Sequence, residues 1–408
     1  MLNLDPNRRD DLYRCLAGEE DPDTLLWLSD PRNLLKAELY VAERLARVGG
    51  KRKHYDTHAV ELYLDEDLER LTEALYTYQY RPSRGTAHII WNPVQREIFA
   101  APYIDRIVHH YIVDTINPWW DPRLCYGASS CRVGRGTSFG VKLLDTHIRR
   151  ASHNYAVRVY VVKLDISGYF MHIVREKLLA RVLWGLERQF EGNFGKRYRI
   201  MKHALTAVIM DNPIDGVRIQ GSYNDWRKLP VDKSLFWAAP GCGIVIGNVT
   251  SQVFSNIYLD PLDKFITGEL GWKYYGRYVD DFYIVVTEEQ LVQVKRDIRL
   301  INGFLHGLGL SLNQKKTRII PSWQGVPFLG VRVGHDKIVP DRRLTRNFAN
   351  SVRTYIAGVN SAESVISYLG LMKNYDARKL TYRMFRGNDG VFNEFRKIFP
   401  GVFGEVEY

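Results

Sequence analysis

The sequence predicts an α+β protein, and three observations lead to that class. Strand-like and helix-like segments follow one another in the order β-α-α-β-β-α-β through the middle of the chain, which favours an antiparallel sheet with helices on one face. The chain has 408 residues, 45% hydrophobic and 25% charged, which suits a globular protein with more than one lobe. From Lys337 onward the pattern is mainly helical.

Each element is predicted from its hydrophobic period and its flanking turn residues. The first half is predicted to contain a polar helical region over 1–50, a helix over 56–80, a strand over 86–91, a helix within 92–116, a strand over 156–166 and a helix over 167–186. The second half is predicted to contain an irregular stretch over 224–243, an extended segment that becomes helical over 244–270, a hairpin over 275–286, a helix over 289–310 and a strand pair over 325–333.

The charge balance favours a polyanionic partner. The net charge is +11, and the part of the chain from Lys337 holds twelve Lys or Arg against seven Asp or Glu. Basic proteins associate readily with nucleic acids through the phosphates. Aromatic residues make up 12% of the chain, which is compatible with base stacking, although such side chains also fill cores.

Cysteine usage and hydropathy argue against two other classes. The four cysteines form no Cys-x-x-Cys pair, which speaks against a structural zinc site and fits a reducing compartment. No apolar run approaches the length of a membrane span, and the first residues lack the apolar core of a signal peptide. We therefore expect a cytoplasmic protein without a membrane partner.

Three carboxylates are the strongest candidates for chemistry. Asp280 and Asp281 lie side by side in "YGRYVDDFYIVV", between two apolar strands, where unpaired like charges are costly and a divalent cation removes that cost. Asp165 ends an apolar strand far upstream. If that strand pairs with the hairpin, the three carboxylates meet at one sheet edge, as two-metal phosphoryl transfer requires. The alternative is an Asp-Asp turn between two surface strands.

Five segments, taken together, resemble the reverse transcriptases. "YVDD" is similar to their Tyr-x-Asp-Asp motif, "KLDISGYFMHI" to their first catalytic motif, and "GIVIGNVTSQVFSNIYLDPLD" to the motif between these two. "LGLSLNQKKTRI" and "FLG" resemble the two motifs that follow, in the same order. The resemblance spans about residues 80 to 335. It implies a right-hand polymerase with fingers, a palm and a small helical thumb.

The resemblance implies a domain organisation. Its predicted parts are an N-terminal helical extension over 1–55, fingers over 56–156, a palm over 157–335 with a fingers insertion at about 185–240, and a basic helical thumb over 336–408.

The resemblance also assigns the catalytic roles. Asp165 and Asp280 are the main ligands of two Mg²⁺ ions, with Mn²⁺ as an alternative, and Asp281 supports them. The backbone carbonyl of Ile166 completes a metal shell, since Mg²⁺ prefers octahedral oxygen coordination. Lys316 lies where relatives place a lysine near the leaving pyrophosphate, and its neighbour Lys315 is the alternative.

The nucleotide pocket follows from the same resemblance. Phe170 matches the steric gate that excludes a ribose 2′-OH, or else is a core aromatic. Arg96 matches a residue that grips the triphosphate, or else forms a salt bridge with Glu97 or Asp105.

The segment around Ile246 completes the predicted pocket. Ile246 stands where many relatives have Gln, which implies either relaxed fidelity or simple packing against a strand. Gly247, Asn248, Ser251 and Gln252 shape the template and nucleotide pocket, although Asn and Ser are also common helix caps.

Further basic residues are predicted to hold nucleic acid through its phosphates. The thumb candidates are Arg342, Arg343, Arg346, Arg378, Lys379 and Arg383, with solvated surface charge as the alternative. Arg106 and Arg135 are weaker phosphate or template candidates. The pair His109–His110 suggests either metal binding or, as we favour, a buried and hydrogen-bonded helix pair.

The Gly-Asn-x-Thr-Ser-Gln variant is similar to diversity-generating retroelement enzymes and to "unknown group" antiviral defence reverse transcriptases of prokaryotes. This resemblance implies an RNA-directed DNA polymerase that copies an associated, structured RNA into cDNA from dNTPs. It leaves an accessory protein or a homo- or hetero-oligomer open. Alternatives are template-independent or protein-primed DNA synthesis and a non-catalytic nucleic-acid-binding protein.

Overall fold

The computed structural model describes residues 28–47, 63–91 and 94–399, which form two compact units. Unit 1 contains the described residues up to 125, with 166–264 and 302–311. Unit 2 contains 126–165, 265–301 and the described residues from 312 onward. Most of the predicted N-terminal extension lies outside the described residues.

Helices dominate unit 1. They are α1 (Pro31–Arg47), α2 (Leu64–Tyr76), α3 (Tyr103–Trp120), the short α5 (Tyr169–His172), α6 (Arg175–Gln189), α7 (Lys196–Met210), the short α8 (Tyr223–Arg227) and α9 (Val249–Lys264). Short 3-10 turns at Asp121–Arg123, Val231–Lys233 and Leu235–Trp237 join some of them.

Unit 1 also holds a small sheet with the order β2-β1-β4. Its strands are β1 (Thr86–Ile90), β2 (Arg96–Ala100) and β4 (Arg218–Ile219). The helix expected within 92–116 does not include Arg96–Ala100, because these residues form β2, which pairs antiparallel with β1. Pro102 disfavours a helical backbone at the residue before it, so α3 begins only at Tyr103.

The predicted helix over 167–186 is interrupted. It divides into α5 and α6, because Ile173 and Val174 have extended backbones with ψ values of 117° and 112°. Both residues are β-branched, which favours extended over helical backbone.

Unit 2 contains the predicted antiparallel sheet, with the strand order β5-β6-β3-β7. The strands are β3 (Val159–Asp165), β5 (Tyr275–Tyr278), β6 (Asp281–Thr287) and β7 (Arg318–Pro321). Helix α4 (Thr137–Ala151) contacts β3, β5 and β6. Its apolar face and the alternate residues of β3 and β6 form one core, which includes Val141, Leu144, Val161 and Tyr283.

The rest of unit 2 contains a second sheet, which includes the strand pair predicted over 325–333, and a mainly helical C-terminal region. A second sheet has the order β10-β9-β8, with β8 (Val326–Phe328), β9 (Val331–Val333) and β10 (Ile338–Pro340). The C-terminal helices are α11 (Arg342–Ile356), α12 (Ala362–Met372), α13 (Arg378–Phe385) and α14 (Asp389–Ile398), and they enclose their own apolar core. Helix α10 (Leu291–Gly307) is divided between the two units after Ile301. The remaining elements are a π-helical turn at Phe265–Glu269 and a 3-10 turn at Ser322–Gln324.

These elements confirm the α+β class, with antiparallel sheets and many helices. Across the described ranges, no helix is both long and apolar enough to span a membrane.

Candidate active site

Strand pairing in unit 2 brings the three predicted carboxylates to one edge of the sheet. Strand β3 runs antiparallel to β6, and Asp165 stands directly opposite Asp281. Residues that oppose one another in an antiparallel pair project from the same face, so these two side chains share a face. Asp280 lies in the turn between β5 and β6, next to Asp281 in the chain.

The carboxylates influence one another electrostatically. Burial, followed by the charge of Asp165, raises the pKa of Asp280 to about 6. Burial also raises the pKa of Asp281, an effect that the ammonium group of Lys163 opposes. Both shifts disfavour the ionised form, so the cluster favours an added positive charge.

Lys316 supplies one such charge. It lies in the turn before β7, and its Nζ is 2.8 Å from Asp165 Oδ2. Burial lowers the pKa of Lys316, but the hydrogen bond and the charge of Asp165 outweigh this effect and raise the pKa above its usual value. This geometry favours Lys316 over Lys315 as the lysine of the site.

Sequence reasoning missed Lys163, which supplies a second charge. Its Nζ lies 3.2 Å from Asp281 Oδ2 and 5.4 Å from the centre of the Phe328 ring. Lys163 precedes Asp165 by two residues on the same strand, so both side chains project from the same face. The only sequence signal for Lys163 is a charged residue within the apolar strand "VYVVKLD", two residues before Asp165.

The donor set suits a hard divalent cation. Carboxylate oxygens are the ligands that Mg²⁺ prefers, and two ammonium groups already lie against the cluster, which shows that it accepts positive charge. Within the described ranges, no group of three or more His, Cys, Asp or Glu side chains is arranged so that it could hold a metal ion by itself. Mg²⁺ commonly binds one or two carboxylates and completes its shell with water and substrate phosphates, so this edge fits the ion.

Ile166, which follows Asp165 in the chain, has a buried side chain.

Several predicted nucleotide-pocket residues lie together in unit 1. Phe170 and Ile246 both pack, half-buried, against an apolar cluster that includes Phe99. The Phe99 N–H donates to the Ile246 carbonyl at 3.0 Å. Gly247 has a φ of 134°, and an added Cβ would lie 2.7 Å from the Phe99 carbonyl oxygen, so only glycine fits there.

The other predicted residues of this group are more dispersed within unit 1. Gln252 is exposed on α9, whereas Asn248 lines a cavity of about 80 Å³. Arg96 is exposed at the start of β2. Asp105, one of its alternative partners, instead accepts hydrogen bonds from the Tyr80 hydroxyl and the Ser83 N–H, at 2.7 and 2.9 Å.

The histidine prediction is confirmed for His109. Its side chain is buried in unit 1, and its Nδ1 lies 2.9 Å from the Thr250 hydroxyl oxygen. Burial, with a smaller contribution from the charge of His110, lowers the pKa of His109 to about 3, so the ring is neutral near pH 7.

The predicted basic residues divide into two kinds. Arg135 stacks on the rings of Tyr126 and Phe139, and Arg106 donates to the Ala101 carbonyl. The thumb candidates are exposed on α11 and α13, namely Arg342, Arg343, Arg346, Arg378, Lys379 and Arg383.

Solved telomerase structures are similar to the chain at low sequence identity. The apo telomerase from Candida Tropicalis is 12% identical, with 79% of this chain and 62% of that chain covered and a TM-score of 0.46. Telomerase from Candida albicans, in complex with a TWJ fragment of telomeric RNA, is 13% identical, with coverages of 85% and 60% and a TM-score of 0.45. The chain thus spans less than two thirds of the length of either protein. No curated protein sequence matches the chain.

A family model assigns the chain more directly. The model described as "Reverse transcriptase (RNA-dependent DNA polymerase)" matches residues 95–333. The matched range includes the three carboxylates, Lys163 and Lys316, and covers more than half of the chain. This protein therefore belongs to the reverse transcriptase (RNA-dependent DNA polymerase) family, whose members are nucleotidyltransferase enzymes.

Proposed function

We propose that this protein is an RNA-directed DNA polymerase that makes cDNA on an associated RNA by two-metal nucleotidyl transfer. The observation that carries the proposal is the direct opposition of Asp165 and Asp281 across β3 and β6, with Asp280 in the adjoining turn. Family membership supports the same activity, since reverse transcriptases generally use divalent metal ions.

In this proposal Asp165, Asp280 and Asp281 hold two Mg²⁺ ions, with the Ile166 carbonyl as a further oxygen ligand. When bound, such ions activate the attacking 3′ oxygen and stabilise the leaving pyrophosphate. The protein holds Asp165 and Asp281 on two paired strands, where the sheet fixes their spacing before substrate binds.

The two lysines serve different carboxylates in this scheme. The Lys163 ammonium orients Asp281 and compensates its charge from within the sheet face. Lys316 is more exposed, with 60% of its side chain accessible, so it is free to move from Asp165 toward the phosphates of an incoming nucleotide. There it would neutralise negative charge or donate a proton to the leaving pyrophosphate.

The residues that the family resemblance assigns to the nucleotide pocket would select and position the incoming nucleotide. Phe170 would act as the steric gate, and Arg96 would bind the triphosphate through its planar guanidinium. Gly247 and Gln252, with Ile246, would shape the pocket. The exposed arginines and Lys379 of α11 and α13 would hold the template–primer duplex through its phosphates, without reading bases.

The biological setting belongs to the same proposal. The Gly-Asn-x-Thr-Ser-Gln segment favours a diversity-generating or antiviral defence element whose own structured RNA is the template.

The test is DNA synthesis by the protein purified with the RNA that it retains from its own locus. Mg²⁺ and labelled dNTPs are added, and the products are sequenced. The double variant Asp280→Asn with Asp281→Asn is run in parallel, because amides keep the shape but lose the charge. We expect DNA complementary to the bound RNA from the wild type and none from the variant.

Other products would change the proposal in defined ways. Mismatches concentrated at one template base would favour the diversity-generating type. Repetitive DNA that matches no template would be consistent with the proposed metal site but would contradict templated synthesis. Equal products from the wild type and the double variant would overturn the proposed polymerase activity. The absence of product from both, while RNA remains bound, would do the same and would favour a non-catalytic nucleic-acid-binding protein.

A further inference from the structure

The turn that carries Asp280 has an unusual backbone. Val279, between Tyr278 and Asp280, has a φ of 57°, in the left-handed region. A β-branched residue is strongly disfavoured there, because its Cβ substituents crowd the neighbouring carbonyl. Such a conformation persists only where surrounding contacts over-determine it, and it is common at functional sites.

Two buried side chains of unit 2 hold both backbone polar groups of Val279. The Val279 N–H donates to the Ser130 hydroxyl oxygen at 3.1 Å, and Arg277 donates through one NH group to the Val279 carbonyl at 3.0 Å. Ser130 is 0% and Arg277 is 1% exposed. Neither contact belongs to the β5–β6 ladder. Arg277 is part of β5, whereas Ser130 holds the turn from outside the hairpin.

The segment that carries Ser130 is itself fixed to β5. Residues 127–130 run beside this strand, with a parallel bridge between Ala128 and Arg277. The Arg277 N–H donates to the Gly127 carbonyl, and the Ser129 N–H donates to the Arg277 carbonyl, both at 2.9 Å. The Ser129 hydroxyl donates to the same Arg277 carbonyl at 3.0 Å.

Close packing makes this alignment specific. At Gly127, an added Cβ would lie 2.6 Å from the Tyr275 carbonyl oxygen, so any side chain there would displace the segment from β5. We call the segment 127–130 the clamp, because its fixed alignment with β5 positions Ser130 beside the strained turn.

We propose that Ser130 is a positioning residue for Asp280: its hydroxyl, together with Arg277, fixes the left-handed Val279 and thereby the direction of the catalytic carboxylate that follows. This inference rests on the proposed polymerase function. A carboxylate displaced by about 1 Å loses much of its catalytic effect, because metal and nucleotide must be held in a narrow geometry.

The chain offers a matched control in the neighbouring serine. Ser129 is also buried, and Ser129→Ala removes the same hydroxyl group. However, the Arg277 carbonyl keeps the N–H of residue 129 as a donor after that change. Ser130→Ala instead removes the acceptor of the Val279 N–H, so only this variant is expected to loosen the turn.

The first measurement is hydrogen exchange at the Val279 amide, which is independent of activity. We expect Ser130→Ala to speed exchange in the peptide 276–282 by about tenfold or more, and Ser129→Ala to leave it within about twofold. Equal exchange in the two variants would overturn the clamp, even if the protein proved inactive as a polymerase.

The second measurement is single-nucleotide incorporation with separate kcat and KM. We expect Ser130→Ala to lower kcat about tenfold with little change in the KM for dNTP. In a Val279→Gly background the loss should shrink to about twofold, because glycine adopts the left-handed region without strain. An undiminished loss in that background would show a plain packing role and overturn the proposal. If the wild type incorporated no nucleotide but Ser130→Ala still exchanged faster than Ser129→Ala, the result would contradict the proposed polymerase function and leave the role of the clamp standing.

Discussion

Lys163 and Asp281 form a half-buried ion pair across the central strands of the unit 2 sheet, with 3.2 Å between Nζ and Oδ2. Accessible fractions of 19% and 27% place the pair between the surface and the core. Burial alone would favour a protonated Asp281, whereas the ammonium group favours the carboxylate that metal binding requires. In the proposed mechanism, the pair therefore favours the ionised Asp281 that would bind metal.

Removing one partner of this pair should cost more than removing both. Lys163→Met leaves the carboxylate of Asp281 without its ammonium, whereas Lys163→Met with Asp281→Asn leaves no charge to compensate. We expect a coupling free energy of about 1–2 kcal/mol in a double-mutant cycle, measured by urea unfolding of the four proteins. Additive effects would show that the ion pair contributes nothing to stability.

Asp280→Asn should abolish activity and stabilise the fold. Burial and the charge of Asp165 raise the pKa of Asp280 to about 6, so at pH 8 the ionised carboxylate destabilises the native state relative to the unfolded chain. A neutral amide removes that cost, and we expect a gain on the order of 1–2 kcal/mol in thermal or urea unfolding.

The same variant should lose at least about 10³-fold in nucleotide incorporation, since a metal ligand is gone. Asp336→Asn, at an exposed carboxylate of unit 2, serves as the control and should change neither quantity. A less stable Asp280→Asn protein would contradict the assigned electrostatic cost.

Lys316 and Lys315 allow a direct comparison of neighbours. Lys316→Ala should lower kcat for nucleotide incorporation by about 10–100-fold, because the charge beside Asp165 and the leaving pyrophosphate is lost. Lys315→Ala should retain nearly full activity. Pre-steady-state incorporation kinetics distinguish the two, and a reversal of their effects would reassign the catalytic lysine.

Phe170→Ala tests the steric gate. Removing the ring should let ribonucleotides enter, so the preference for dNTP over rNTP in kcat/KM should fall by about tenfold or more. Phe236→Ala, in the same apolar cluster, removes an equal ring and should lower stability without changing sugar preference. An unchanged preference in Phe170→Ala would assign Phe170 to the core.

His109 makes stability depend on pH. Its pKa is about 3 in the fold and about 6.5 in the unfolded chain, so the unfolded state binds the extra proton between these values. Stability is therefore complete above pH 6.5 and falls as the pH decreases. Between pH 7 and pH 5 the loss from this group is about 2 kcal/mol. In urea unfolding, the free energy of unfolding of His109→Gln should fall by about 2 kcal/mol less than that of the wild type between pH 7 and pH 5. An equal decrease in the two proteins would contradict the assigned pKa of His109.

The sequence by itself determined much of the unit 2 sheet and the candidate carboxylates. The β-branched alternation before Asp165, the aromatic strands around Asp280 and the order of the motifs are local signals, because a strand face and a turn residue are specified within a few positions. The amphipathic C-terminal helices were likewise readable from their own period.

Only the tertiary structure decided the contacts that join distant segments. Lys163 reads as an isolated lysine until β6 places Asp281 beside it, and Ser130 reads as a loop serine until residues 127–130 align with β5. Strand β2 could not be distinguished from the start of a helix, because its pairing with β1 is what favours the extended form. Short apolar stretches suit either structure, and the deciding free energy comes from partners far away in the chain.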